Sequence, residues 1–178
     1  MTPPDLEVIL ASPIPLSKSP RFASIAEMLS GHATVLIGPI GDRTVTITLQ
    51  DFRNAAAGIQ RWNFPGETVA VLRLPRTSEI PLVLATLGLL ANGYRVVLPM
   101  NLDSLPHILM KTDAQAVFYF RETSNTALPN LNLPSFCVYS DLHLDQPGTW
   151  DRPTFASGKL IFTTTGSTGE PKLVEYTQ

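Results

Sequence analysis

The sequence predicts an α/β protein in which a mainly parallel sheet is covered by helices. Short apolar, β-branched segments such as Thr68–Leu72 alternate with stretches of helical periodicity, the pattern of a parallel sheet with helices on its faces. The longest apolar run, Ile80–Ala91, is too short to span a bilayer and is typical of a buried helix. We therefore expect residues 1–178 to form a single α/β domain without a membrane span.

The first third of the chain contains two capping-box patterns. Ser24 to Glu27 precedes a short amphipathic stretch, and Thr48 to Asp51 precedes a helix that we expect to continue to about Trp62. Between the two patterns, residues 34–40 and 43–48 read as strands.

The remaining elements alternate in the same way. After a Pro65-Gly66 turn, we predict strands at 68–72, 94–98, 116–120, 136–139 and 159–162, with helices at about 79–92 and 104–111. Residues 121–157 form a loop-rich segment with several prolines.

Composition excludes several classes of function. The net charge of −2 gives no basic field that would attract nucleic acid or anionic lipid. The N-terminus has no positive region before an apolar core, so no signal peptide is predicted. Cys137, the only cysteine, lies in an apolar run; we interpret it as a core residue rather than a nucleophile. A single cysteine fits a cytoplasmic protein.

The segment at 163–172 carries the strongest chemical signal. Gly166 and Gly169 allow the backbone to take φ > 0, so that successive N–H groups can point into one concavity. Hydroxyl and ammonium donors surround the two glycines: Thr164, Thr165, Ser167, Thr168 and Lys172. Such a set of donors predicts a phosphate-binding loop.

This loop differs from the G-x-x-x-x-G-K-[ST] loop of kinases and GTPases. Its lysine follows Pro171, and the next residues, Leu173 to Tyr176, read as a strand rather than a helix. The loop is therefore expected to join two strands. The plainer alternative is an ordinary Ser/Thr/Gly-rich hairpin loop with a surface lysine.

The order of residues from Thr164 to Lys172 resembles the phosphate-loop signature of the adenylate-forming superfamily, [ST]-[ST]-G-[ST]-[ST]-G-x-P-K. This superfamily includes acyl- and aryl-CoA ligases, luciferases and adenylation domains of nonribosomal peptide synthetases. Weaker similarities occur at residues 46–56, 66–79 and 84–101, so that the resemblance spans about residues 40–178. The chain departs from the signature's usual continuation at Leu173, where many members have glycine, and at Gln178, where histidine is common.

The resemblance implies the N-terminal portion of the large domain of an ATP-dependent ligase. Such enzymes condense a carboxylate with ATP to form an acyl-adenylate and pyrophosphate, and most then transfer the acyl group to a thiol. By resemblance, the loop would hold the β- and γ-phosphates of ATP together with Mg²⁺. The adenine, ribose and Mg²⁺-binding segments and the catalytic lysine of the family lie downstream, so that we assign no catalytic residue here and expect no activity without a C-terminal half.

Two other interpretations stay open. The chain could be a stand-alone, non-catalytic nucleotide- or phosphate-binding module, or one chain of a split ligase whose partner chain supplies the remaining motifs. A metal site is not predicted, because His32, His107 and His143 are isolated and the alternation of Asp141, His143 and Asp145 reads as a solvated loop.

Overall fold

The computed structural model describes residues 36–40, 43–74, 79–100, 102–120, 131–138, 140–141, 146–151, 158–165 and 171–177. Its elements are β1 (Leu36–Ile40), β2 (Arg43–Ile47), α1 (Leu49–Trp62), β3 (Thr68–Leu72), α2 (Ile80–Ala91), β4 (Arg95–Leu98), α3 (Leu105–Thr112), β5 (Ala116–Tyr119), β6 (Ser135–Cys137), β7 (Lys159–Thr165) and β8 (Pro171–Thr177). The predicted helix after Ser24 lies outside the described residues.

The larger sheet has six strands in the order β6-β5-β3-β4-β7-β8. Strands β6, β5, β3, β4 and β7 pair in parallel, whereas β8 pairs with β7 antiparallel. The first two strands form a separate antiparallel hairpin. The prediction of a mainly parallel, helix-covered sheet is confirmed.

Alternate residues of the strands face two apolar clusters, one on each side of the sheet. Val69, Val96 and Phe118 pack with α1 and α2, and Ala70, Val97 and Val117 pack with α3. Both faces of the central strand are buried, since all five residues of β3 are buried. This explains why β3 is continuously apolar rather than alternating in polarity.

Helix α1 begins where the sequence predicts. The Thr48 hydroxyl accepts a hydrogen bond from the Asp51 N–H, and an Asp51 carboxylate oxygen accepts one from the Thr48 N–H at 2.7 Å. The two groups satisfy N–H donors that have no partner within the helix. The helix ends at Trp62 and is followed by Asn63 in the left-handed region, φ 47°.

Helix α2 is the buried helix that the apolar run predicted, and it packs closely against α1. A Cβ at Gly88 would lie 3.2 Å from the backbone of Ala55, so that the glycine permits the short distance between the helices. None of the helices in the described part of the chain combines the length and apolar character needed to cross a bilayer.

The connection from β6 to β7 passes over these two helices. Gln60 on α1 donates a hydrogen bond from its amide to the Asp151 carbonyl at 2.9 Å, and its amide oxygen accepts one from the Asp151 N–H at 3.1 Å. Trp150 donates from its indole N–H to the side-chain oxygen of Asn92 at the end of α2, at 3.4 Å. Residues 146–151 are therefore held on the helix layer just before the chain returns to the sheet.

Candidate functional site

The two described ends of the predicted phosphate loop, residues 163–165 and 171–172, lie at the carboxyl edge of the parallel strands. Strand β7 runs parallel to β4 and continues beyond it to Thr165, and β8 returns from Pro171. Strand β7 therefore ends, and β8 begins, at the edge where β3, β4, β5 and β6 also end. Ligands of open α/β sheets bind at this edge. The prediction that the loop joins two strands is confirmed.

Thr164 and Lys172 are directly opposite each other in the β7–β8 hairpin. Directly paired residues of antiparallel strands project to the same side, with Cβ atoms roughly 4.5–5.5 Å apart. Both side chains are exposed. The structure therefore presents a hydroxyl and an ammonium group side by side at the base of the turn.

Lys172 and Glu175, the acidic residue of β8, lie on opposite sides of the strand. Glu175 is three residues further along and forms ion pairs with Lys159 at 2.9 Å and with Arg95 at 3.2 Å. Hydrogen bonds from Lys159 and Arg95 lower the pKa of Glu175 below its usual value. Within the described residues, Lys172 makes no ion pair, so its charge is available to an anion.

Thr163 differs from its neighbour in the sequence. Its side chain is only 2% exposed, and its hydroxyl accepts a hydrogen bond from the Met100 N–H at 2.9 Å. The same hydroxyl lies 3.5 Å from the Leu98 carbonyl, to which it donates. Because adjacent strand residues point to opposite faces, Thr163 is directed into the protein while Thr164 is directed to solvent.

This role of Thr163 was not predicted from the sequence. The signal that could have indicated it is the period of two in β7: Ile161 is a buried apolar residue, so Thr163, two positions later, falls on the same inward face.

The structure describes the other residues of the predicted phosphate site only in part. The structure gives the backbone of Thr165, paired with Pro171, at the end of β7. Gly166, Ser167, Thr168 and Gly169 lie outside the described residues. The cradle of backbone and hydroxyl donors in the turn therefore stays a prediction, supported at its base by the placement of Thr164 and Lys172.

The cysteine, aspartate and histidine residues that were not predicted to be functional have ordinary structural surroundings where the structure describes them. Cys137 is a buried cysteine at the end of β6. Asp141 accepts a hydrogen bond from the Cys137 N–H at 2.6 Å and another from the Ser140 hydroxyl at 2.9 Å, which closes a turn. His107 is exposed on α3, whereas His32 and His143 are not described. No group of three metal-ligating side chains occurs among the described residues.

Solved structures of adenylate-forming ligases share this fold. A fatty acyl-adenylate ligase from L. pneumophila, in complex with acyl adenylate and pyrophosphate, covers 86% of the chain at 22% identity and a TM-score of 0.60. The N-terminal subdomain of NpsA from Klebsiella oxytoca, in complex with 3-hydroxybenzoyl-AMSN, covers 85% at 20% identity and 0.61. An o-succinylbenzoate coenzyme A synthetase from Bacillus subtilis, in complex with AMP, covers 86% at 18% identity and 0.59.

The similarity concerns only part of each of these proteins. The chain spans 30% of the L. pneumophila ligase, 39% of the NpsA chain and 42% of the B. subtilis synthetase. No protein-family model matches the sequence, and no match occurs among curated proteins. The comparisons confirm the predicted resemblance at the level of the fold: the chain folds like the N-terminal part of adenylate-forming ligases.

Proposed function

We propose that this chain is the N-terminal part of an ATP-dependent ligase that activates a carboxylic acid, and that it supplies the loop that binds pyrophosphate. The observation that carries the proposal is the pair Thr164 and Lys172, exposed side by side where the turn leaves the carboxyl edge of the sheet. The fold shared with adenylate-forming ligases supports the same assignment.

The chemistry of acid activation explains why such donors are needed. A carboxylate oxygen attacks the α-phosphorus of ATP, the bond from that phosphorus to the bridging oxygen breaks, and pyrophosphate leaves with its electron pair. Negative charge therefore grows on the leaving group, and fixed donors and cations that meet this charge lower the barrier. In the proposal, the Lys172 ammonium and the Thr164 hydroxyl meet the β- and γ-phosphates, with Thr165, Gly166, Ser167, Thr168 and Gly169 completing the loop.

The proposal includes Mg²⁺ because this cation is expected to bind together with the phosphates of ATP. Hydroxyl oxygens suit this hard cation, and Mg²⁺ usually takes few protein ligands and several from phosphates and water. The described residues contain no carboxylate cluster that would hold it alone. When bound, Mg²⁺ would neutralise phosphate charge, and the exposed Thr164 hydroxyl at the base of the loop is a described group that suits it.

The rest of the proposal concerns the complete ligase. We propose that residues 1–178 belong to one α/β domain of a cytoplasmic enzyme, and that the acid substrate and the adenosine of ATP are bound chiefly by other segments. The limited share of each ligase structure that the chain covers supports this division. The acyl-adenylate would then pass to a thiol, and the 178-residue chain alone would not catalyse adenylation.

The test is pyrophosphate binding by Lys172→Ala in the full-length protein, measured by isothermal titration calorimetry, together with ATP–pyrophosphate exchange. Hydrogen bonds to charged groups contribute about 1.5–3 kcal/mol, so that a roughly 10- to 100-fold loss of affinity is expected. Lys111→Ala is the matched control, because Lys111 is an exposed lysine at the end of α3. If Lys172→Ala and Lys111→Ala bind pyrophosphate equally well, the proposed role of the hairpin is wrong.

A further inference from the structure

The hairpin that carries Thr164 and Lys172 extends beyond the part of the sheet that supports it. The parallel pairing of β4 with β7 ends at Leu98 and Phe162. Pro99 follows Leu98 and, having no N–H, cannot donate the next ladder hydrogen bond. From Thr163 to Thr165, β7 pairs only with β8 in the described part of the chain. Three further pairs of the hairpin therefore project past the last backbone contact with β4.

One side chain extends the attachment beyond this point. The Thr163 hydroxyl accepts a hydrogen bond from the Met100 N–H at 2.9 Å and donates one to the Leu98 carbonyl at 3.5 Å. It therefore contacts the backbone on both sides of Pro99. The shorter contact has the geometry of a good hydrogen bond, and the longer one is weak. With 2% exposure, the hydroxyl has little access to water as a substitute partner.

We propose that Thr163 is a positioning residue for the phosphate-binding hairpin. It acts through Thr164 and Lys172 rather than on the ligand itself, and the inference rests on the function proposed above. The side chains of Thr163 and Thr164 leave consecutive positions of one strand in opposite directions. Fixing the inward hydroxyl against the exit of β4 therefore fixes the direction of the outward hydroxyl and of Lys172, its partner across the hairpin.

The energetic argument is one of preorganisation. A binding group that is already held in its bound direction loses less conformational freedom when the ligand arrives. Without the Thr163 hydroxyl, the Met100 N–H would be left without its partner, and the apolar packing of Leu173, the partner of Thr163 on β8, would be left to hold the end of the hairpin against the sheet. The hairpin would still form, but its angle to the sheet edge would vary. The conformational entropy lost when the ligand fixes this angle would then weaken ligand binding.

The test compares three variants of the full-length protein. Thr163→Val keeps the shape and removes the hydroxyl, and Thr163→Ser restores the hydroxyl. Thr112→Val is the matched control: Thr112 is also buried, 4% exposed, and donates a hydrogen bond from its hydroxyl to the Ile108 carbonyl at 2.7 Å within helix α3. Hydrogen exchange of the Met100 amide and of residues 163–173, pyrophosphate affinity and melting temperature are measured for each.

For Thr163→Val we expect amide exchange at Met100 to rise roughly 5- to 10-fold and pyrophosphate affinity to fall roughly 3- to 10-fold, the size of one net hydrogen bond. Thr163→Ser should recover both to within about twofold. Thr112→Val should lower the melting temperature without changing pyrophosphate affinity.

Two results would overturn the inference. One is unchanged exchange and affinity in Thr163→Val; the other is a loss of affinity in Thr112→Val as large as that in Thr163→Val, which would make the effect one of general stability. Lys172→Ala separates this inference from the proposed function. If Lys172→Ala weakens pyrophosphate binding and Thr163→Val does not, only the positioning role fails. If neither weakens it, the hairpin is not the pyrophosphate site, and both proposals fail.

Discussion

Thr164 and Lys172 are Cα partners across the last antiparallel pair of strands, and both side chains face solvent on the same side of the hairpin. The two residues are separated in the sequence by the glycine-containing turn, yet the strand register places a hydroxyl beside an ammonium group. Such a pair can contact one oxyanion with two different donors.

Thr164→Ala is expected to weaken pyrophosphate binding by the full-length protein roughly 10- to 100-fold, because one hydrogen bond to a charged ligand is lost. Thr164→Ser should bind like the parent, since it keeps the hydroxyl. In a double-mutant cycle with Lys172→Ala, measured by calorimetry, the two losses should be coupled by about 0.5–3 kcal/mol if both groups contact the same ligand. Strict additivity would mean that the two side chains act on pyrophosphate independently rather than together on one oxyanion.

Glu175→Gln is expected to reduce stability at neutral pH, by an amount that shrinks on acidification. The pKa of Glu175 is lowered in the folded protein by Lys159 and Arg95, so that its contribution is present above the unfolded pKa, near 4.5, and is lost as pH falls through the folded pKa. Melting temperatures of the parent and Glu175→Gln should therefore converge below about pH 4.5. Added salt should also reduce the difference, because the pair is exposed.

The control for this pH dependence is Glu67→Gln. Glu67 is an exposed glutamate that makes no ion pair with another described residue. The role of the Glu175 ion pairs would be contradicted if the difference in melting temperature between Glu175→Gln and the parent did not depend on pH. An equal pH dependence in Glu67→Gln would contradict it too.

Gly158→Ala is expected to destabilise the fold by about 1–3 kcal/mol. A Cβ at this position would lie 2.4 Å from the carbonyl oxygen and 2.7 Å from the Cα of Leu90, and these backbone atoms of α2 cannot rotate away. Urea unfolding of the full-length protein measures the change. Thr149→Ala, a substitution at an exposed position of the same connection, should have little effect. Equal stability of the two variants would show that the close approach to α2 is dispensable.

Thr48→Ala is expected to cost about 1 kcal/mol by removing the side-chain cap of α1. The variant loses both hydrogen bonds of the Thr48 hydroxyl, the one accepted from the Asp51 N–H and the one donated to an Asp51 carboxylate oxygen at 2.7 Å. The bond from the Thr48 N–H to the Asp51 carboxylate is kept. Thr48→Ser keeps the hydroxyl and should restore stability in the same unfolding experiment. A stable Thr48→Ala variant would show that water caps the helix equally well.

The parts of the fold that local patterns determine were predictable from the sequence. The Thr48 capping box predicted the start of α1, and the apolar run predicted α2 as a buried helix. The predicted strand after the loop began at Leu173, but β8 begins at Pro171, because pairing with β7 extends the regular structure beyond the apolar residues.

The site was predictable only in part, for a physical reason. The types and order of its residues indicate phosphate binding, and a loop between strands follows from the apolar residues on both sides. The opposition of Thr164 and Lys172 depends on the register of the hairpin, which residue types do not specify. The role of Thr163 depends on Met100, 63 positions away in the chain, and local patterns carry no information about such a contact.

That separation along the chain also bears on how the protein folds. Strand β7 completes the centre of the sheet by pairing with β4, although β5, β6 and a connection over two helices lie between them in the sequence. Contacts between distant segments form late, because a long loop must close before they contribute. On the ribosome, β3 to β6 emerge first and leave one side of β4 without a neighbour until β7 arrives. The hairpin that we propose as the pyrophosphate site is thus the last part of the described sheet to be assembled.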